Sequence, residues 1–310
     1  MKVLVTGGAG FIGSHVVDGL VEGGHKVVVV DDLSTGKREN INPRAKFYHM
    51  DITSPELEEV FRIEKPDFIN HHAAQMDVRK SVEDPLFDAR VNILGTIHLL
   101  ECCCANKLKR IIFASSGGAI YGEPRHLPVD EMHPVAPISP YGLSKYTAEE
   151  YLRLYRLSHG LEYVVLRYGN VYGPRQDPFG EAGVVAIFIG KMLQGKRPTI
   201  FGTGEQVRDY VYVGDVVEVN ILAMEVQGGV SVNIGTGRGT SVNELFGILK
   251  ERLSSNLDPI YALPRMGELD SIFLEVSLAR EKLGWSAQTD LVSGLDKTID
   301  FFRERMGQAT

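Results

Sequence analysis

Residues 2–13 read Lys2-Val3-Leu4-Val5-Thr6-Gly7-Gly8-Ala9-Gly10-Phe11-Ile12-Gly13, and this stretch decides the fold. The run before Gly7 is apolar enough for a buried strand. Ser14-His15-Val16-Val17-Asp18-Gly19-Leu20 then carries helical periodicity, so strand, glycine turn and helix follow without a gap. Glycines let the backbone turn tightly, approach a pyrophosphate and pack helix on strand, while the helix start offers N–H groups to phosphate oxygens. Gly7, Gly10, Phe11, Ile12 and Gly13 are therefore candidate dinucleotide contacts. A second apolar run, Lys26-Val27-Val28-Val29-Val30, ends at Asp31-Asp32. Asp31 stands where a carboxylate bonds the adenosine ribose hydroxyls and repels a 2′-phosphate, which predicts NAD in preference to NADP. Lys37 and Arg38 follow closely enough to reach a phosphate and weaken that preference.

Beyond this unit, strand and helix patterns alternate. Lys46 to His49, Asp67 to His71, Arg110 to Ser115 and Tyr163 to Arg167 read as strands separated by helix or loop. Such alternation predicts an α/β fold, a doubly wound parallel Rossmann sheet. After Gly169 the texture becomes Gly- and Pro-rich, a helix follows near Gly183 to Leu193, and Ser231 to Ile234 reads as a strand rejoining the sheet. Helices near Val242 to Leu253 and Leu291 to Arg305 complete the chain. Residues 1–168, with a returning segment near 208–236, are expected to form the NAD-binding domain. Residues 169–207 and 237–310 are expected to form a smaller C-terminal α/β substrate lobe.

With 310 residues, 44% hydrophobic and 24% charged, the chain is long enough for a large core. A net charge of −7 with interspersed signs gives no reason to expect nucleic-acid binding, so an anionic substrate must be held by local arginines. The apolar segments are too short for a membrane span and the N-terminus starts directly on a strand, which predicts a cytoplasmic protein. Cys102, Cys103 and Cys104 are consecutive within a helix expected from Asp88 to Asn106; they point in different directions, so they read as core or interface thiols and no metal site is expected.

Ser139 and Pro140 open a predicted helix running to about His159, with Ser139 as N-cap and Pro140 at the first helical position. Tyr141 and Lys145 lie in its first two turns and, four residues apart, share a face. The spacing predicts a lysine ammonium near the tyrosine hydroxyl, favouring phenolate and lowering the tyrosine pKa from about 10 toward the range of a general base. Tyr-x-x-x-Lys alone is common on solvated helices. Joined to a dinucleotide site, it points to redox chemistry on a hydroxyl group.

Gly7-x-x-Gly10-x-x-Gly13, Asp51-Ile52, His72-Ala73-Ala74, Asn92, Ser115-Ser116, Tyr141-x-x-x-Lys145 and Arg167-Tyr168-Gly169-Asn170 occur in that order. Over essentially the whole chain this pattern resembles the extended short-chain dehydrogenase/reductases, the NAD-dependent epimerase/dehydratase family. Within that family it is similar to the shorter bacterial and archaeal UDP-hexose 4-epimerases, which carry Gly-Gly-Ala-Ile-Tyr-Gly after the serine.

The resemblance implies an NAD-dependent interconversion of UDP-glucose and UDP-galactose through a transient 4-keto sugar. Epimerisation of UDP-N-acetylglucosamine or UDP-glucuronate, or a catalytically silent NAD-binding regulator, are the alternatives. It implies that Asp51 and Ile52 hold the adenine, that Ala73 and Ala74 line the pyrophosphate and nicotinamide side, that Asn92 belongs to the cofactor site, and that Lys145 also bonds the nicotinamide ribose. Tyr141 and Ser116 would act on the sugar 4-hydroxyl. Asn170, Arg208 and Arg265 would hold the diphosphate, and Glu268, where relatives usually have Asp, a uridine ribose hydroxyl. Ile272 falls near the position that limits the C2 substituent. Counting from the strand makes Ser116 the catalytic serine. Counting back from Tyr121 selects Gly117, which has no side chain, and Ser115 is the fallback. Family dehydratases carry an adjacent Asp-Glu pair where this chain has Gly117-Gly118, which argues against elimination. The resemblance also implies a homodimer packed through the helices near 88–106 and 141–159.

Overall fold

Seven parallel strands form the central sheet of the computed structural model, which describes residues 1–178, 183–265 and 269–307. They are β1 (Lys2–Thr6), β2 (Lys26–Asp31), β3 (Lys46–His49), β4 (Phe68–His71), β5 (Arg110–Ser116), β6 (Glu162–Tyr168) and β7 (Gly229–Ile234). Their spatial order is β3-β2-β1-β4-β5-β6-β7. Val3 to Val5, Val27 to Val30, Ile111 to Phe113 and Val164 to Leu166 are all buried. Continuous burial, in place of alternation, is what a parallel sheet covered on both faces requires. One face packs on the helices Phe11–Glu22 and Val213–Leu222, and the other on Leu57–Glu64, Gly95–Ala105 and Pro140–His159. The sheet is thus doubly wound, as expected. Strand order reverses between β1 and β4, opening a crevice at the carboxyl ends of the strands where ligands bind in such folds.

The strand expected over Ser231 to Ile234 is β7, which pairs in parallel with β6 from Gly229↔Tyr163 to Ile234↔Tyr168. Apart from the sheet, the helices Val184–Leu193, Val242–Arg252 and Leu291–Gly307 enclose a separate apolar cluster that includes Phe188, Phe246 and Phe302. Short strands tie this part together: Thr199–Phe201 pairs with Ile260–Ala262, and Val207–Arg208 lies between Thr240–Ser241 and Ser271–Ile272.

The helix expected from Asp88 to Asn106 differs. It begins at Pro85 behind Asp84, whose carboxylate accepts the Phe87 N–H at 2.9 Å, swells into a π turn at Arg90–Leu94, and resumes as α-helix over Gly95–Ala105. An extra residue in a helical turn re-aims the side chains on either side of it. Here Asn92 sits inside the turn and Asp88 just before it. Cys102 and Cys103 are buried in the core, where burial pushes the Cys102 thiol up to about 12 and makes it inert. Among the described residues no cluster could hold a metal ion and no helix is long and apolar enough to cross a membrane.

Candidate active site

At the end of β1 the chain turns through Gly7, which has φ 70° and donates its N–H to the Val30 carbonyl at 2.9 Å. A Cβ on Gly7 would lie 2.6 Å from the Ala73 nitrogen, and one on Gly13 would lie 2.2 Å from the Gly7 oxygen. Neither position has room for a side chain. Gly10 begins the Phe11–Glu22 helix with no side-chain cap, so nothing from a side chain covers the first-turn N–H groups. Asp31 buttresses this loop: Oδ2 accepts from the Ala9 N–H at 2.9 Å and Oδ1 from Leu33 at 2.8 Å. A carboxylate has further lone pairs for ribose hydroxyls after two such bonds. Burial raises the Asp31 pKa. Cradle, uncapped helix start and acid together fit a dinucleotide of the NAD type.

The other acids do more local work. Asp32 accepts from the N–H and hydroxyl of Ser34, and Asp51 from those of Thr53, so each shapes its own turn. Ile52 is buried against Gly95. The expected competition from Lys37 and Arg38 is weaker than their position suggested, since Lys37 pairs with Asp177 at 3.5 Å and Arg38 lies 5.5 Å over the Phe47 ring. We predict that Asp31→Asn narrows the preference for NAD over NADP about tenfold, a modest charge-assisted hydrogen bond's worth. The ratio of the two dissociation constants, from fluorescence titration, measures it, and an unchanged ratio would remove Asp31 from cofactor selection.

Ala73 and Ala74 follow β4 across the crevice from Gly7, and the Ala73 N–H reaches Thr6 Oγ1 at 3.3 Å. Asn92, which the resemblance places in the cofactor site, engages its side-chain amide with neighbouring protein groups. Its Oδ1 accepts from the Gln75 N–H at 2.8 Å, and Nδ2 lies 2.9 Å from the Gln75 carbonyl, 3.0 Å from Asp88 Oδ1 and 3.1 Å from Ser144 Oγ. The amide is buried in the π turn and ties down the backbone at Gln75, the residue after Ala73 and Ala74.

The Pro140–His159 helix is capped by Ser139, whose Oγ accepts from Gly142 at 3.1 Å, and the Tyr141 N–H donates to Ser81 Oγ at 3.1 Å. At the end of β5 successive residues face opposite ways. Ser116 acts on the Tyr141 phenol, drawing its pKa down, whereas the Ser115 hydroxyl donates to Glu149 within the Glu149–Arg167 ion pair. Ser115 is thereby engaged by Glu149, which favours the count from the strand that selects Ser116. A Cβ at Gly117 would meet Leu274 at 2.7 Å, so that position faces packed protein.

The expected coupling of Lys145 to the Tyr141 hydroxyl is not what the geometry provides. Lys145 Nζ donates to the Ala114 carbonyl at 2.9 Å and lies 4.8 Å over the Phe113 ring. Burial pushes the Tyr141 phenol up to about 12, with the Ser116 hydrogen bond pulling it down and the Asp88 charge raising it further. Burial also lowers Lys145 to about 8, while Asp88 and Glu149 act to raise it. The shared helix face is real, but the long lysine stem delivers its charge to β5. Beside it, burial and the Lys145 charge hold His72 down to about 3 and His71 well below its usual range, so both imidazoles are neutral.

Next to this cluster opens a cavity of about 550 Å³ lined by Asn170, Arg208, Arg265 and Arg79, with Phe201 and Tyr210 among its walls. Arg208 is held by the Val207 and Leu269 carbonyls, each at 2.8 Å, and Arg265 sits 3.9 Å above the Phe201 ring. Guanidinium groups fixed in this way suit diphosphate oxygens. Asn170 bounds the cavity and also neighbours Ser116: a Cβ at Gly118 would be 3.8 Å from Asn170 Oδ1 and 4.0 Å from Ser116 Oγ. Ile272 is buried in register with Arg208. Glu268 lies outside the described residues. Arg79 had no sequence signal; it comes from the short Val78–Glu83 helix, and only the fold brings it to the arginines of the other lobe.

The family model described as NAD dependent epimerase/dehydratase family matches residues 3–235. The UDP-glucose 4-epimerase of Mycolicibacterium smegmatis is 43% identical, covering 98% of this chain and 99% of that one. Among solved structures, the UDP-glucose 4-epimerase of Thermotoga maritima with UDP-glucose has a TM-score of 0.97 at 51% identity, covering 99% of this chain and 100% of its own. That of Thermus thermophilus in complex with NAD has a TM-score of 0.92 at 46% identity, covering 98% and 99%.

Proposed function

The chain belongs to the NAD dependent epimerase/dehydratase family, and we propose that it is an NAD-dependent enzyme interconverting UDP-glucose and UDP-galactose by inversion at C4. The observation that carries this reading is the adjacency of the Ser116–Tyr141 pair to an arginine-lined cavity through Asn170. A reaction of this kind needs the diphosphate gripped and the hexose free to turn. Arginines held by backbone carbonyls and an aromatic ring suit the grip that division needs.

In this reading the phosphate end is held by Arg208, Arg265 and Asn170, with Arg79 as a further cation. Ser116 orients the Tyr141 phenol toward the sugar 4-hydroxyl. As phenolate, Tyr141 takes the hydroxyl proton as C4 is oxidised to the ketone and, as the phenol so formed, gives it back when C4 is reduced from the opposite face. When bound, NAD supplies the hydride acceptor and donor that C4 requires. Lys145 contributes a buried positive charge, and the neutral His71 and His72 add none to it. The reading assigns residues 1–168 and 208–236 to the cofactor, and 169–207 and 237–310 to the nucleotide sugar. Its test is incubation of the purified protein with UDP-galactose, first without and then with added NAD. Formation of UDP-glucose, followed by chromatography, is the expected result; no conversion in either case would overturn the reading.

A cytoplasmic homodimer belongs to the same proposal. Support for the dimer lies in apolar side chains left exposed on the two helical segments expected to pair, Leu94 on the first and Leu143, Leu154 and Leu157 at 69% on the second, with Leu86 at 82% and Val82 just before the first. Large contiguous apolar patches mark interaction surfaces. Leu157→Asp is expected to shift the sedimenting species from dimer to monomer, and a wild-type protein that sediments as a monomer would end the proposal.

A further inference from the structure

Asp88 is a buried acid that the chemistry above does not use. It is 1% exposed and lies in the short Pro85–Ala89 helix packed on the Pro140–His159 helix. Its Oδ1 is within hydrogen-bond distance of the Gln75 and Asn92 amides, both at 3.0 Å, and its Oδ2 has no hydrogen-bond partner. Neutral amides satisfy lone pairs and leave the charge uncompensated. A carboxylate this deep needs a cation nearby or must give up its charge.

The charged and titratable groups around it single out the partner. On the catalytic helix Lys145 is buried and bonded to the Ala114 carbonyl, a contact that leaves its own charge uncompensated. Glu149, a turn further on, is paired with Arg167 of β6 at 2.6 Å. His71 and His72, at the end of β4, are neutral. Tyr141 is a protonated phenol. On the flanking elements Lys80 and Arg90 lie over the Phe87 ring at 4.6 and 5.5 Å and Arg79 lines the arginine cavity, so Asp88 and Lys145 stand as the two buried groups of opposite sign on packed helices, with electrostatic influence of Asp88 on both Lys145 and Tyr141.

Asp88 is also mechanically linked to Tyr141 by two routes. Asn92 bonds Ser144 Oγ at 3.1 Å, and that hydroxyl donates to the Tyr141 carbonyl at 3.0 Å. Gln75 Oε1 accepts from the Asp77 N–H at 2.6 Å, Asp77 caps the Val78–Glu83 helix, and Ser81 of that helix accepts the Tyr141 N–H at 3.1 Å.

We propose that Asp88 is a positioning residue for the epimerase reaction: it is the buried counter-ion of Lys145 and, through Gln75 and Asn92, the tie that fixes the first turn of the catalytic helix. The assignment rests on the epimerase reading for its kinetic consequences but not for its electrostatic one. Two variants separate the roles. Asp88→Asn keeps an oxygen to accept both amide bonds and removes only the charge. Asp88→Ala removes both.

The measurement is the titration of Lys145 by NMR of the full-length protein carrying isotope-labelled lysine, assigned with Lys145→Met, alongside the pH profile of kcat with UDP-galactose. The Asp88 charge raises the lysine pKa, so its loss must lower it. From about 8 in the wild type, the midpoint is expected to fall by about one unit or more in Asp88→Asn, and the alkaline limb of kcat to move down with it. Asp88→Ala is expected to share that shift and also lose at least about tenfold in kcat at its optimum, with the conservative variant recovering most of the loss. A purely structural aspartate would leave the Asp88→Asn midpoint at the wild-type value, and that result would overturn the proposal. Should the wild type convert no UDP-galactose, the epimerase reading fails while the lysine midpoints still decide whether Asp88 is the counter-ion.

Discussion

Tyr141→Phe is expected to lower kcat by about a thousandfold, within the range that a positioned proton-transfer group supplies, while NAD binding and the folded state survive. The ring fills the same space in both residues, so the core beside the catalytic helix is undisturbed. What goes is the one hydroxyl that Ser116 addresses. Ser116→Ala should cost less, about tenfold, since the phenol remains and only its orienting bond is lost. The ordering of the two variants carries the weight, because a protein that merely binds NAD would be indifferent to both. Single-turnover kinetics separates the chemical step from release, and NAD binding by fluorescence checks the cofactor site. Tyr141→Phe within tenfold of wild type would remove the phenol from the reaction.

The elevated phenol adds a condition to this prediction. With a pKa pushed up to about 12, Tyr141 is protonated at neutral pH in the free protein. Phenolate character must come from positive charge brought close in the working complex, because Lys145 is held on the Ala114 carbonyl. The lysine itself is held down to about 8 by burial, so it is charged at neutral pH and loses that charge in the mildly alkaline range. Two groups with pKa values displaced in opposite directions by the same burial are a common arrangement where protons are exchanged.

Much of this site was legible because the chemistry uses local sequence. Glycine spacing, the acid at the end of β2 and the i,i+4 pair on a capped helix all involve residues separated by less than one supersecondary unit, where periodicity and turn chemistry fix geometry. Register along β5 could be counted but not decided, since Ser115 and Ser116 differ only in which face of the sheet they meet, and that depends on Glu149 arriving from a helix more than thirty residues later. The buried bonds of Asn92 and Asp88 were hidden for a related reason. A π turn leaves no clear periodic mark, and an aspartate on a helix reads as solvated until a neighbouring helix buries it. Arg79 reaches its cavity only because the fold brings the Val78–Glu83 helix beside Arg208 and Arg265, far away in sequence. Lys145 shows the limit of spacing as evidence: four residues set the face of the helix, not where a flexible four-carbon stem ends.

The glycines of the opening motif are not equivalent, and this yields the second large effect. Gly13→Ala is expected to lower NAD affinity by at least about a hundredfold and stability by about 1–3 kcal/mol, the usual cost of overpacking. The added Cβ would lie 2.2 Å from the Gly7 oxygen and 2.9 Å from the Gly7 carbonyl carbon, backbone atoms that cannot rotate away. Relief requires the Phe11–Glu22 helix to lift from β1. That movement withdraws the helix N-terminus from the phosphate side and loosens Val16, Val17 and Leu20 in the core beneath. Gly10→Ala makes the contrast. Gly10 has φ −75°, which any residue adopts, and its Cβ would find only the Gly7 oxygen, at 3.2 Å. Its melting temperature should therefore stay close to wild type, and any loss should appear in NAD affinity alone, because its new methyl would occupy the crevice side. Thermal melts of the apo proteins with parallel NAD titrations distinguish the two. Equal melting temperatures for Gly10→Ala and Gly13→Ala would mean that the helix is not wedged against the Gly7 turn, and the cradle would have to be held by Asp31 instead.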